Sequence, residues 1–357
     1  MSGAARRYAS VDALRGLTVA AMLLVNNPGD WSHVYAPLLH APWHGCTPTD
    51  LVFPFFLFVV GVSTSLGIVS RAEAGSSRAV LQRGIVVRAL RIVALGLALN
   101  LLAWWAFDRD YVRLWGVLQR IGLCFLVAAP PALWWKPRTQ WLCIAAILLG
   151  YWALLAAGGP LARYVNLPDR IDTALFGPLL YDFDAATGRG HDPEGLLSTL
   201  PAIATTLLGV RAGEWLRRGA LRTLALAAAA MLACGWLWSF ALPFNKPLWT
   251  SSYVLWTAGL ATAALLLLHA LVDRRGWPAL GRSYGVNAIT AFAGSAAVVY
   301  LLAPPGWWEA IYRNAFAGWM TPRFGPYVPS LAFALAYVAL WWLLVRWMDR
   351  RGWHVKV

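Results

Sequence analysis

Apolar residues run along this chain in long blocks, separated by short polar stretches where arginine, proline and glycine concentrate. A helix crossing a bilayer needs roughly 20 apolar residues, because each residue adds about 1.5 Å of rise. Ten blocks meet that requirement, at about 10–27, 51–69, 84–106, 114–135, 139–158, 195–215, 220–242, 249–272, 285–303 and 328–348. The expected fold is all-α: a polytopic integral membrane protein of about ten transmembrane helices, forming one domain over 1–357. The largest polar stretch, about 159–194, is rich in Pro, Gly and Asp and reads as a loop. No internal repeat is evident, so an inverted-repeat transporter design gains no support.

Composition agrees with the pattern. The 357 residues are 59% hydrophobic and only 13% charged, with a mean hydropathy of +0.57, whereas a soluble domain is nearer a quarter charged. The 22 tryptophans suit a chain with many helix ends at bilayer interfaces. The net charge of +14 sits in short clusters between apolar blocks, the footprint of cytoplasmic loops rather than of a nucleic-acid surface. With ten spans, Arg6 and Arg7, Arg71 to Arg83, Lys136 and Arg138, Arg211 to Arg222, Arg274 to Arg282, and Arg346 to Lys356 all fall on one side. Loop 28–50 has no Lys or Arg. Both termini are therefore expected in the cytoplasm and loop 28–50 outside. The first apolar block lacks a small-x-small cleavage site and reads as an uncleaved span. Cys46, Cys124, Cys143 and Cys234 form no CxxC pair and read as small packed hydrophobes.

Loop 28–50 carries the densest chemistry, with Asn26 and Asn27 just before it and Asp30, His33, His40, His44 and Asp50 within it. Titratable groups beside a span are costly to keep there and default to a functional reading. Three histidines near a carboxylate admit zinc, but the spacing is not that of a helical site. A general base or nucleophile fits better, with a carboxylate fixing the imidazole tautomer. Asp12 and Arg15 are three apart on one helical face and read as a pair or cap. Arg113, Gln119 and Arg120 lie at the head of the fourth span, and an arginine at apolar depth faces a cavity, an anion or a carboxylate. His191, Asp192 and Glu194 open the sixth span, where acids also stabilise a helix N-terminus. Asn245 and Lys246 form a polar insertion ahead of the eighth, suited to sugar hydroxyls, a phosphate or a helix anchor.

The motifs SVDALRG, HAPWHGCTPTDLVFPFFLFVVG, RLWGVLQRIG, HDPEGLLSTL followed by LGVRAG, LPFNKPLWTSSYV and GVNAI occur in order from residue 8 to about 300. In these the chain resembles the heparan-α-glucosaminide N-acetyltransferase family of transmembrane acyltransferases, including bacterial members linked to N-acetylglucosamine use. The resemblance implies acetyl transfer from cytosolic acetyl-CoA, as co-substrate, to a glucosamine-type amine on the far side of a bacterial inner membrane. It implies no metal and a homodimer. The family's active histidine falls on His40 and the asparagine ending its first span on Asn26. With these, Asp50 is expected to orient His40, and Asn26 to polarise the thioester carbonyl. Arg113, Gln119 and Arg120 are expected to anchor coenzyme A. Asp192, Glu194, Asn245 and Lys246 are expected to meet the sugar. His40 acts either as a base for the amine or as the nucleophile that carries the acetyl group. Alternatives are a transporter of amino sugars or peptidoglycan fragments, and O-acetylation of a surface glycan.

Overall fold

A computed structural model describes residues 7–355, so Arg6 and Lys356 lie outside the described residues. The expected all-α membrane architecture is what it shows. In chain order the main helices are α1 (Ala9–Asn26), α2 (Val52–Thr64), α3 (Arg78–Ala106), α4 (Val117–Trp134), α5 (Pro137–Ala157), α6 (Leu167–Phe176), α7 (Leu196–Arg217), α8 (Leu221–Ser239), α9 (Ser251–Leu268), α10 (Ala288–Leu302), α11 (Trp307–Phe324) and α12 (Tyr327–Arg350). Among the described residues nine helices are long and apolar enough to cross a bilayer, the second running over Pro48–Glu73. A tenth crossing is counted only if α10 and α11, which meet at 96°, form one broken span.

Burial sorts the helices. The window of α7 that spans the bilayer is 83% buried, against 22% for α3 and 17% for α8, so α7 is the axis of the bundle and α3 and α8 face lipid. Between α7 and α2 there is no room for side chains: a Cβ on Gly61 would stand 1.9 Å from the Thr206 carbonyl oxygen, and one on Gly209 2.1 Å from that of Phe58. Close backbone approach at small residues is how helices associate where lipid removes the hydrophobic drive. The core around this seam holds Leu57, Phe58, Val62, Leu207, Trp249 and Tyr253.

Stretch 159–194 is more ordered than a loop. It contains α6 and a small antiparallel hairpin, β1 (Asp182–Asp184) and β2 (Arg189–His191), and ends at the start of α7. Loop 27–51 lies at the same end of the bundle as the start of α12. Gly29 N–H donates to the Ser330 carbonyl at 3.2 Å, and Asp30 N–H to Ser330 Oγ at 3.0 Å.

Candidate active site

The site grows from the entrance to α2. Pro48 to Leu51 form a single 3-10 turn, and Asp50 is its third residue, placed to collect the free N–H groups of a helix start. Its Oδ2 accepts from the Thr47 amide at 3.0 Å, Thr47 Oγ1 at 3.1 Å and the Ala41 amide at 3.0 Å. Its Oδ1 lies 2.6 Å from His40 Nδ1. The Asp50 side chain is 2% exposed and that of His40 49% exposed. An ionised carboxylate only accepts, so Nδ1 carries the proton and the Nε2 lone pair is open.

A second segment closes over this loop. Asn245, fully buried, donates from Nδ2 to the Trp43 carbonyl at 3.0 Å, while the Gly45 amide donates to the Phe244 carbonyl at 2.8 Å. Lys246 then reaches His40, its Nζ standing 3.1 Å from Nε2 and 3.3 Å from Nδ1. Burial lowers the Lys246 ammonium below the ordinary lysine value, against the pull of Glu194 and Asp50. The turn ends at Trp249, fully buried with φ of +51°, a left-handed conformation that is costly for a bulky residue. Trp249 Nε1 donates to Thr205 Oγ1 of α7 at 3.0 Å, and Tyr253 OH to the Asp50 carbonyl at 2.5 Å.

Arg113, Asp192 and Glu194 meet although some 80 residues separate them. Arg113 forks onto Asp192 at 2.9 and 2.6 Å and reaches Glu194 at 2.5 Å, with Tyr181 4.6 Å beneath its guanidinium. Burial works against both charges, yet Arg113 and Arg120 hold Glu194 below the ordinary carboxylate range, and the two acids raise Arg113 above its own. Arg120 is fully buried. Its Nη2 donates to the Gly195 carbonyl at 3.0 Å and Ser198 Oγ at 2.5 Å, its guanidinium lies 5.3 Å over Trp249, and its Nε and Nη1 have no partner among the described residues. Gln119 donates to the Leu114 carbonyl at 3.2 Å. Of the three residues expected to anchor coenzyme A, Arg113 and Arg120 are bonded around the start of α7 and Gln119 to the turn ahead of α4.

Asn26 ends α1, is exposed and has no side-chain hydrogen bond among the described residues, whereas Asn27 is buried and donates from its side chain to the Leu23 carbonyl at 2.7 Å. His33 pairs with Asp30 at 2.6 Å, and burial lowers the His44 imidazolium. Two further residues at this face, Asp169 and Asp172, escaped the sequence reading. His191 is buried and bonded to Asp169 at 2.7 Å with Trp43 packed against its ring, and Asp172 accepts from the Leu196 amide at 3.0 Å. Burial pushes the Asp172 carboxyl up to about 6. Among the described residues no three His, Cys, Asp or Glu side chains are grouped to hold a metal ion.

At the opposite end of α2 lies a cavity of about 620 Å³, lined by Arg7, Arg15, Arg71 and Arg88 against the single acid Asp12. Its apolar lining reaches Phe56 on α2 and Leu118 on α4. From Arg71 to Phe56 it follows fifteen residues, about 22 Å of helix at 1.5 Å per residue. Arg15 bonds Ser63 Oγ at 2.7 Å and the Gly285 carbonyl at 3.0 Å, and Asp12 holds Arg7 at 2.7 Å. Arg88 lies 5.4 Å over the Phe125 ring. Guanidinium groups on an elongated cavity suit a phosphate-bearing ligand. In the sequence Arg15 reads only as a partner for Asp12 and Arg88 is not singled out, although an arginine at span depth is itself a signal.

A family model described as the catalytic part of heparan-α-glucosaminide N-acetyltransferase matches residues 7–241. The chain belongs to that family. Curated relatives named heparan-α-glucosaminide N-acetyltransferase are 30% identical in Mus musculus and 31% in Homo sapiens, each alignment covering 81% of this chain. The chain spans about half the length of these relatives, 53% and 52%. The N-acetyltransferase family match takes in His40, Asp50, the Arg113 cluster and most of the cavity lining, and stops short of Asn245 and Lys246.

Proposed function

We propose that this chain is a transmembrane acyltransferase that moves the acetyl group of acetyl-CoA onto the amine of a glucosamine-type sugar. The observation that carries the reading is the His40–Asp50 pair: a half-exposed imidazole with an open Nε2, held by a buried carboxylate. The coenzyme A phosphates sit among the arginines of the cavity, and the arm carrying the thioester runs along α2 toward His40. Its arginine-rich end faces the cytoplasm and its His40 end the periplasm, in a bacterial inner membrane, with the chain paired as a homodimer. Asp192 and Glu194 line the approach for the sugar's ammonium, and Asn245 holds the His40 loop in place. Asn26 polarises the thioester carbonyl only if ligand binding turns it inward.

His40 serves this reaction as base or as acetyl carrier. As base, Nε2 takes the proton of the acceptor ammonium before the amine attacks the thioester. As carrier, Nε2 attacks first and coenzyme A thiol leaves before the sugar binds. The test mixes purified protein with acetyl-CoA and glucosamine and follows free thiol. Release that depends on glucosamine and disappears in His40→Ala is expected. Release unchanged in His40→Ala removes the assignment, release only with hydroxyl acceptors turns the reading to O-acetylation, and no release with any acceptor turns it to transport.

A further inference from the structure

The position of Lys246 is unusual for a hydrogen-bond partner of His40. A donor on the Nε2 lone pair lies in the ring plane and well away from Nδ1. Distances of 3.1 and 3.3 Å to the two nitrogens instead put the amine over the face of the imidazole. Nδ1 is engaged by Asp50, so Nε2 is the only ring nitrogen free to receive an acyl group. An acetyl group on Nε2 conjugates with the ring and lies in its plane. Its carbonyl carbon then offers its π face on the side where Nζ stands, the direction from which an amine attacks a carbonyl. The acetyl carbon lies one bond beyond Nε2, away from the ring, so Nζ, 3.1 Å from Nε2, reaches the near-attack separation of about 3–3.5 Å by swinging outward on its flexible side chain.

We infer that Lys246 occupies the place of the acceptor amine and is itself acetylated when acetyl-CoA is present and the sugar is absent. The inference rests on the proposed transfer through His40. In the step, the Nζ lone pair forms a bond to the acetyl carbon, and the bond from that carbon to Nε2 breaks. The electron pair returns to Nε2, which takes up the proton that Nζ loses. The net change converts acetyl-CoA and a lysine amine into coenzyme A thiol and an amide, with no redox partner. The amide is stable in water, whereas acetyl-imidazole is not, so the product stops turnover by filling the acceptor site. The lowered basicity of Lys246 leaves more of it as free amine at neutral pH. An acceptor sugar must displace Nζ from the ring face, so it protects the lysine as it binds.

The test uses the full chain in detergent, incubated with acetyl-CoA carrying a labelled acetyl group. Intact mass and peptide mapping follow the label after treatment with hydroxylamine, which removes acetyl from imidazole but not from an amide. One hydroxylamine-resistant acetyl on Lys246 is expected, lost in His40→Ala and slowed about tenfold or more by saturating glucosamine, with thiol release falling as label accumulates. Lys246→Arg, checked for folding by its elution and unfolding profile, is expected to accumulate no resistant label. Label on other lysines, or label on Lys246 that persists in His40→Ala, overturns the inference. Thiol release with glucosamine but no resistant label on Lys246 overturns it while leaving the acetyl-transfer reading intact. Neither release nor label of any kind removes both.

Discussion

Replacing Asp50 by Asn tests the catalytic geometry most directly, because one oxygen's worth of chemistry changes while the shape stays. Oδ2 of Asp50 accepts three donors, the Ala41 and Thr47 amides and Thr47 Oγ1, at 3.0 to 3.1 Å. In the variant the amide oxygen must face those donors, which turns the amide nitrogen toward His40 Nδ1. That nitrogen donates, so Nδ1 becomes an acceptor and the imidazole proton moves to Nε2. The open lone pair is lost without any residue leaving its place. The same tautomer error in a Ser-His-Asp triad costs about 10⁴-fold, so a fall of about 10³ to 10⁴ in kcat is expected, roughly 4 to 5.5 kcal/mol of barrier. The helix start keeps its cap and loses only a charge near its N-terminus, a term of roughly 0.3–1 kcal/mol, so the unfolding temperature moves little. The assay is thiol release at saturating acetyl-CoA and glucosamine, with the melting curve run in parallel. A folded Asp50→Asn protein within tenfold of wild type would refute the tautomer argument.

Other outcomes follow from the cavity, the helix seam and the large loop. Arg71→Ala and Arg88→Ala are each expected to raise KM for acetyl-CoA by about 10- to 100-fold, the worth of a charged hydrogen bond at roughly 1.5–3 kcal/mol, and to leave KM for glucosamine unchanged. Parallel titrations of the two substrates check this, and equal effects on both would place the cavity elsewhere in the cycle. Gly209→Leu puts a side chain where Phe58's carbonyl oxygen stands 2.1 Å from a Cβ. It is expected to cost at least ~3 kcal/mol and to abolish a monodisperse elution peak. Burial raises the Asp172 carboxyl to about 6 from an ordinary value near 4. A raised acid favours folding below its unfolded value and loses that advantage as pH rises through 6, by up to roughly 3 kcal/mol for two pH units. Asp172→Asn is therefore expected to raise the melting temperature at pH 7.5 and to leave it unchanged at pH 4. A melting temperature unaffected at both would remove the buried-carboxyl account.

Sequence periodicity carried the bundle but not its exception. Block 139–158 returned as α5 within two residues and block 84–106 as α3 with one end matched and the start six residues earlier, since length and apolarity decide a span. Segment 304–327, with Arg313, Arg323, two prolines near 304 and several glycines, falls outside the ten apolar blocks, yet most of it is α11. Its helicity comes from packing: Tyr312 and Phe316 set their rings against Phe333 of α12, a contact no local pattern announces. The site divides the same way. His40 and Asp50 lie ten residues apart in one loop, and it was the family resemblance that picked His40 from the three histidines there; the fold brings the two together at 2.6 Å. The Arg113–Asp192–Glu194 cluster is an 80-residue closure, visible only once α4 and α7 lie side by side. Arg71 resembled any basic residue at a span end, and only the folded chain shows that it shares a cavity with Arg15 and Arg88.

The arginine cavity and the Asp50 turn occupy one helical span, and only six residues, about 9 Å of helix, separate Phe56 from Asp50. In the proposed orientation the cavity opens to one compartment and His40 to the other, so the membrane voltage would fall mainly across that thin partition. Moving one charge through it would involve about 2.3 kcal/mol for each 100 mV. An acetyl group is neutral, and passing it from one side to the other does no electrical work. The proposed reaction would therefore carry a chemical group through the steepest part of the field without spending or leaking the ion gradient around it.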